Sequence, residues 1–311
     1  MDLSRILALA GPGSERGWRT NLRWFRLILL IHMAARSYLT IPSGADAGFG
    51  EHLLRWAIVL VALVGCIPGH GSWAARLAAI PLWATRVASV LLLVEIAITV
   101  PFTANHVFLE FLCLALLSVL DERDEREAEL LLPAFRWLVG IFFFYTGLQK
   151  VLYGYYFDGQ FLAYLAGTED RFAAVFRLII PAEELARLQS YNDVLLRPGV
   201  FRPRIGAGPY HVDSVLFVVV SNGVYLFEML AGILLLARRT RVLAAVASIA
   251  FVVMIQLGAR ELTFGVLMVN LLLLFVPGAW VKRLLPAFLL FYLYLAAHKL
   301  DWVPMFSYSP A

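Results

Sequence analysis

Runs of roughly fifteen or more apolar residues recur from Trp24 to Trp302, and no interval between them holds a soluble domain of about 100 residues. Such a chain has to satisfy its backbone polar groups internally while facing hydrocarbon. The expected fold class is all-α, a polytopic integral membrane bundle of about nine transmembrane helices read as one domain over 1–311. Composition agrees: 61% of residues are hydrophobic and 15% charged, against roughly 45–50% and about 25% in soluble domains. The net charge of +4 would suggest nucleic acid in a soluble protein. Here the arginines cluster in short loops between apolar runs, where they set orientation, so nucleic acid is excluded as a partner and the lipid bilayer takes its place.

With about 17–25 residues per crossing, helices are predicted near 24 to 41, 53 to 68, 82 to 100, 105 to 120, 130 to 153, 214 to 237, 241 to 257, 262 to 276 and 281 to 300. Arg5, Arg16, Arg19 and Arg23 precede the first run, Arg76 follows the second, and Arg123 with Arg126 follows the fourth. The same alternation puts Arg238, Arg239, Arg241, Lys282 and Arg283 on that side, which predicts a cytoplasmic N-terminus and an outward C-terminus. The apolar stretch before Ala8-Leu9-Ala10 is too short for a cleaved signal peptide, so the first span is expected to stay. Cys66 and Cys113 lie in separate apolar runs without a CxxC, which excludes a thiol redox centre.

Between 154 and 213 lies a segment of about sixty residues, predicted to be external. Phe172, Phe176, Ile179 and Ile180 recur at helical spacing, and Pro181 before Glu183 and Glu184 has the form of a first helical turn. Amphipathic helices on the outer surface are expected there, followed by a Pro-, Gly- and Arg-rich loop over 197 to 209. No internal repeat supports an inverted-repeat transporter.

Ionisable residues inside apolar runs cost about 2.5–3.5 kcal/mol at a helix centre, so each asks for a partner or a purpose. His106 and Glu110 are four apart and share a helix face, which would let the carboxylate orient the imidazole; the same pair also serves as a plain interhelical contact. Two such residues make no zinc site, and no metal is expected. Glu228 lies in a Gly-rich, Leu-rich run and needs a donor, with Lys150 or a backbone amide as candidates. Arg260 and Glu261 read as a pair at an interface, and His298, Lys299 and Asp301 with Trp302 as an interfacial anchor. His32, Arg36, Arg86, Glu95 and Arg136 are further charges in apolar surroundings.

Lys150 is one of three lysines against 23 arginines. Arginine stays charged at any pH, whereas a desolvated lysine is able to become a base. A lysine snorkelling to the interface is the structural alternative.

The run Tyr145-Thr146-Gly147-Leu148-Gln149-Lys150, with Gly159 nine residues on, resembles the central motif of the HTTM domain family, the membrane part of vitamin K-dependent gamma-carboxylase. Asn105-His106 with Leu109 is similar to that family's Asn-His helix start. Glu228 falls where the family has an acid before Ala-Gly, and Arg260 to Gly265 where it has a polar turn. The resemblance implies that Lys150 is the base that deprotonates a prenyl quinol, vitamin K hydroquinone or menaquinol, with His106 also catalytic and Asn105, Glu110, Glu228, Gln256 and Glu261 supporting.

It further implies epoxidation of the quinol, coupled carboxylation of a secreted peptide, and a site facing outward from a bacterial inner membrane. Two departures accompany it. Ile255-Gln256-Leu257 stands where the family has a His-bearing stretch, and Gln256 is neither an acid nor a base. The chain also ends soon after its last apolar run, without the family's long lumenal portion. The family includes proteins resembling the membrane partner of toxin production as well, so the alternative expectation is a non-enzymatic factor for maturation or export of a secreted peptide.

Overall fold

The computed structural model describes residues 17–41, 48–67, 80–101, 103–195, 210–259, 261–300 and 302. Every regular element among them is helical: α1 Trp18–Leu39, α2 Phe49–Gly65, α3 Ile80–Thr99, α4 Asn105–Val119, α5 Glu125–Tyr153, α6 Gln160–Thr168, α7 Asp170–Phe176, α8 Ala182–Leu195, α9 Val215–Leu236, α10 Arg241–Ala259, α11 Leu262–Leu272 and α12 Gly278–Lys299, with a 3-10 turn at Leu273–Phe275. Each of the nine predicted runs coincides with a helix. Four of these, α3, α5, α9 and α12, are long and apolar enough to cross a membrane. Among the others, α1 has 22 residues but carries Arg19, Arg23, Arg26 and Arg36, and α2 and α4 stop at 17 and 15 residues.

Two compact units divide the chain: Met1–Trp137 with Thr263–Ser307, and Leu138–Leu262 with Tyr308–Ala311. In the first, α1 lies against α2, α4, α12 and the 3-10 turn, while α3 joins α2 and α4. Leu22, Phe25, Leu29 and Met33 recur three or four residues apart and are buried, and His32 and Arg36 are buried with them. The 3-10 turn leaves carbonyls without helical partners. Asn21 Nδ2 donates to the carbonyls of Leu273 and Val276 at 3.0 and 2.7 Å. The buried Arg136 donates to that of Leu274 at 3.0 Å from Nε and 2.7 Å from a terminal nitrogen. A charge in an apolar run is thus used to cap backbone that lipid would leave bare.

In the second unit, residues 138 to 153 of α5 approach α9 backbone to backbone. A Cβ at Gly232 would lie 2.6 Å from the Gly140 carbonyl oxygen and 2.8 Å from the Phe144 nitrogen. One at Gly147 would lie 2.7 Å from the Tyr225 carbonyl oxygen and 3.0 Å from the Met229 nitrogen. Small residues at such a crossing let van der Waals contact replace the hydrophobic drive that lipid removes. At the far end of α9, the buried Arg241 donates to the carbonyls of Leu235 and Leu236 at 3.3 and 3.2 Å, closing the turn into α10.

The segment expected on the outer surface builds a core of its own. Leu162 and Ala166 of α6, Phe176 of α7, Leu188 of α8, then Tyr210 and Val212, pack with Phe217 and Tyr225 of α9. The predicted helical face of Phe172, Phe176, Ile179 and Ile180 is broken, because α7 ends at Phe176 and both isoleucines follow in a turn. Pro181 precedes α8 and its carbonyl accepts from Leu185 N at 2.9 Å. Glu184, in the first turn of α8, accepts from the Asp213 amide at 2.7 Å, tying the start of α8 to the approach to α9. The loop predicted over 197 to 209 lies outside the described residues.

Substituting Gly232→Ala should lower stability by about 1–3 kcal/mol, since the added methyl meets the Gly140 and Phe144 backbone and the Phe144 Cβ, none of which is the end of a flexible side chain. Gly223→Ala, on the same helix with nothing within 4 Å of its Cβ, should leave it unchanged or slightly raised. Thermal unfolding of the two variants in detergent checks this.

Candidate functional site

The close crossing of α5 and α9 sets Lys150 opposite Glu228. Lys150 is in the last turn of α5, three residues after Gly147, and Glu228 directly precedes Met229, whose backbone meets that glycine. Lys150 Nζ donates to both carboxylate oxygens, at 2.7 and 2.6 Å. The lysine side chain retains 18% exposure and the glutamate 6%. Two of the three ammonium N–H groups are thereby committed to one carboxylate.

The turn after α5 completes the surroundings. Gly154 and Gly159 both take positive φ, 73° and 78°, a backbone region that glycine enters without steric cost. The Gly159 position would also bring any Cβ to 2.9 Å from the Phe217 ring. Between these glycines Tyr156 is folded inward, with its ring centroid 5.5 Å from Lys150 Nζ. Ser221 Oγ donates to the Tyr156 carbonyl at 2.7 Å, and Asn222 Nδ2 to the Phe157 carbonyl at 2.9 Å. Tyr225 Oη in turn donates to Asn222 Oδ1 at 2.6 Å, while its ring meets Phe157 edge to face. Burial, reinforced by the Glu228 carboxylate, pushes the Tyr156 phenol up, so it is neutral at physiological pH and offers a ring face rather than a charge. An amine and a carboxylate in contact, partly shielded from water, form a pair through which one proton is able to pass.

The remaining predicted residues are distributed over both units. His106 is on α4 in the first, with its ring 5.9 Å from that of Phe264; Asn105 begins the same helix, and its side chain lies outside the described residues. Gln256, half-buried on α10 in the second unit, leaves its amide oxygen without a hydrogen-bond partner among the described residues. Glu261 is exposed just before α11, and Arg260 lies outside the described residues.

Both Glu110 oxygens bond residues of α1, the plain interhelical contact that its position also allowed. One oxygen bonds His32 Nε2 at 2.9 Å and the other accepts from Arg36 Nε at 2.7 Å. Arg36 also clasps Glu95 through both terminal nitrogens, at 3.0 and 2.9 Å. Arg55 reaches Glu95 at 3.3 Å and Glu51 at 2.9 Å, and bonds Thr40 as well. On the other side of His32, Nδ1 lies 2.9 Å from the Tyr292 hydroxyl. With its proton on Nε2, His32 donates to Glu110 and accepts from Tyr292, and two guanidiniums balance two buried carboxylates. His32 and Arg36 are themselves four apart, as are Glu51 and Arg55, a spacing that signals a shared face in sequence. Among the described residues no three His, Cys, Asp or Glu side chains converge on a metal-sized site.

Replacing Glu110→Ala strands Arg36 beside an incomplete shell and should cost about 3–5 kcal/mol. A fall in unfolding midpoint checks it, and a variant as stable as the parent would show that the network carries little of the fold. No protein-family model, characterised protein or solved structure matches this chain.

Proposed function

We propose that the protein is a membrane-embedded enzyme acting on a prenyl quinol, of the vitamin K-dependent gamma-carboxylase kind, with Lys150 as base and Glu228 as its proton partner. The observation that carries this reading is the two-point contact of Lys150 Nζ with Glu228 at the end of an apolar helix. The resemblance of Tyr145 to Lys150 to the HTTM motif supports the same assignment. An apolar, aromatic substrate also suits this end of the protein, because Tyr145 and Tyr153 of α5 and Phe157 of the turn after it are exposed and aromatic rings stack on one another.

In this reading Glu228 takes a proton from Lys150 Nζ, and the neutral amine then accepts one from the substrate hydroxyl. A bound quinol would supply the four electrons that reduce molecular oxygen, two in passing to the quinone level and two in epoxidation of its ring double bond, with one oxygen atom ending in the epoxide and the other in water. Apolar residues around the pair exclude bulk water and strengthen its electrostatics. His106 is assigned a catalytic part by the resemblance alone. About nine crossings, a cytoplasmic N-terminus and an outward-facing site in a bacterial inner membrane complete the proposal, on the strength of the loop arginines. Coupled carboxylation of a secreted peptide is its furthest extension.

The folded core between 154 and 195 favours one second reading, a factor for maturation or export of a secreted peptide, since it offers a structured surface in a polar segment. Reduced menaquinone analogue supplied to the purified protein under oxygen separates the two. Epoxide should form with the wild type, and Lys150→Ala should lower its rate by about 100-fold or more. Lys150→Arg should also be inactive, because a guanidinium does not release its proton. Folded wild type that forms no epoxide overturns the enzyme and leaves the peptide factor.

A further inference from the structure

We infer that Tyr156 is the positioning residue of the Lys150–Glu228 pair, and that its ring face, presented by the turn between Gly154 and Gly159, holds the Lys150 ammonium against the carboxylate. The inference rests on the proposed reading only in taking Lys150 as the reacting group. An ammonium at 5.5 Å from the centroid of an aromatic ring is attracted to the negative face of the π-system, and the attraction grows as water is removed. Tyr156 is itself 9% exposed, so the contact is largely dry.

The placement is built rather than incidental. A lysine in the last turn of a helix, on a four-carbon stem, has several rotamers open to it. Glu228 fixes where the nitrogen ends, and a ring on a second side restricts how it gets there. The ring in turn depends on backbone: two positive-φ glycines reverse the chain around it, and Ser221 and Asn222 of α9 hold the carbonyls of residues 156 and 157. The helix that supplies the carboxylate therefore also anchors the turn that supplies the ring. A compact ammonium fits between these two partners and leaves its third N–H for an incoming substrate oxygen. Tyr156, on this account, orients the amine and does not exchange protons with the substrate.

The chain has three lysines, Lys150, Lys282 and Lys299, so reductive methylation with isotopically labelled formaldehyde gives three lysine N-methyl resonances, beside that of the N-terminal amine, in the full-length protein in detergent. Lys150→Arg identifies the relevant one. The ring should displace this resonance upfield and slow the modification of Lys150. Tyr156→Leu should return the resonance to the free dimethyl-lysine position and speed the modification by roughly threefold or more. Tyr156→Phe, which keeps the ring and loses the hydroxyl, should preserve both properties.

An unchanged resonance and rate in Tyr156→Leu overturns the inference, as does Tyr156→Phe behaving like the leucine variant. Should Tyr156→Leu fail to fold, with Lys282 and Lys299 altered as well, Tyr156→Met against Tyr156→Trp applies the same criteria with a larger side chain. The two proposals fail separately. The expected shift in a wild type that makes no epoxide overturns quinol chemistry and keeps the positioning role. Epoxide formation that needs Lys150, combined with a resonance indifferent to Tyr156, does the reverse.

Discussion

A polar group in a bundle that faces hydrocarbon has no water to fall back on, and the architecture of this protein follows from meeting that demand within the chain. The buried Arg36 is the clearest case. Its guanidinium is divided between Glu95 and Glu110, and Glu110 passes the connection to His32 and Tyr292, so side chains from α1, α3, α4 and α12 meet in one network. In water such an arrangement would contribute little beyond a well-packed apolar core. Among helices surrounded by lipid, where apolar contact gives no hydrophobic gain, specific polar contacts decide which helix lies beside which. Arg136 and Arg241 apply the same physics to backbone, each ending on carbonyls that a helix terminus leaves over.

The Lys150–Glu228 pair obeys that rule and differs in one respect. The side chains of Arg36, Glu95 and Glu110 are at most 7% exposed, whereas Lys150 retains 18%. Its partners are also fewer, one carboxylate and one ring face. A guanidinium shared by two acids has no proton to give, while an ammonium held by one acid does. The distinction between a tie and a reactive group therefore lies in the number and kind of partners as much as in burial. The glycine crossing of α5 and α9 is what permits it, because a side chain at either position would separate the helices and draw the amine from the acid.

Much of the helical framework was legible in the residues. The apolar runs mark nine helices to within a few residues, since period and length are local properties of the chain. The short helices between 154 and 195 were less legible. Phe172, Phe176, Ile179 and Ile180 keep helical spacing, yet the helix ends at Phe176 and the turn after it buries Ile180 in the local core. Packing against α6, α8 and α9 outweighs the pattern there. Within the candidate site, Lys150 stood out by residue type and Glu228 by its isolation. Tyr156 did not, because nothing in Gly154 to Gly159 announces the inward fold except two glycines whose positive φ appears only in three dimensions.

The carboxylates show where local information stops. His106 and Glu110 lie one helical turn apart, as the spacing requires, but the Glu110 oxygens face α1 and meet His32 and Arg36. By itself the sequence determined that the chain forms apolar helices, which residues share a face, and that each buried charge needs a partner. Only the tertiary structure decided the partners, Arg36 for Glu110 and Lys150 for Glu228. The physical reason is that helical periodicity sets directions along one axis, whereas a pairing depends on the rotation and approach of two axes, which the glycines and the packed side chains between them control.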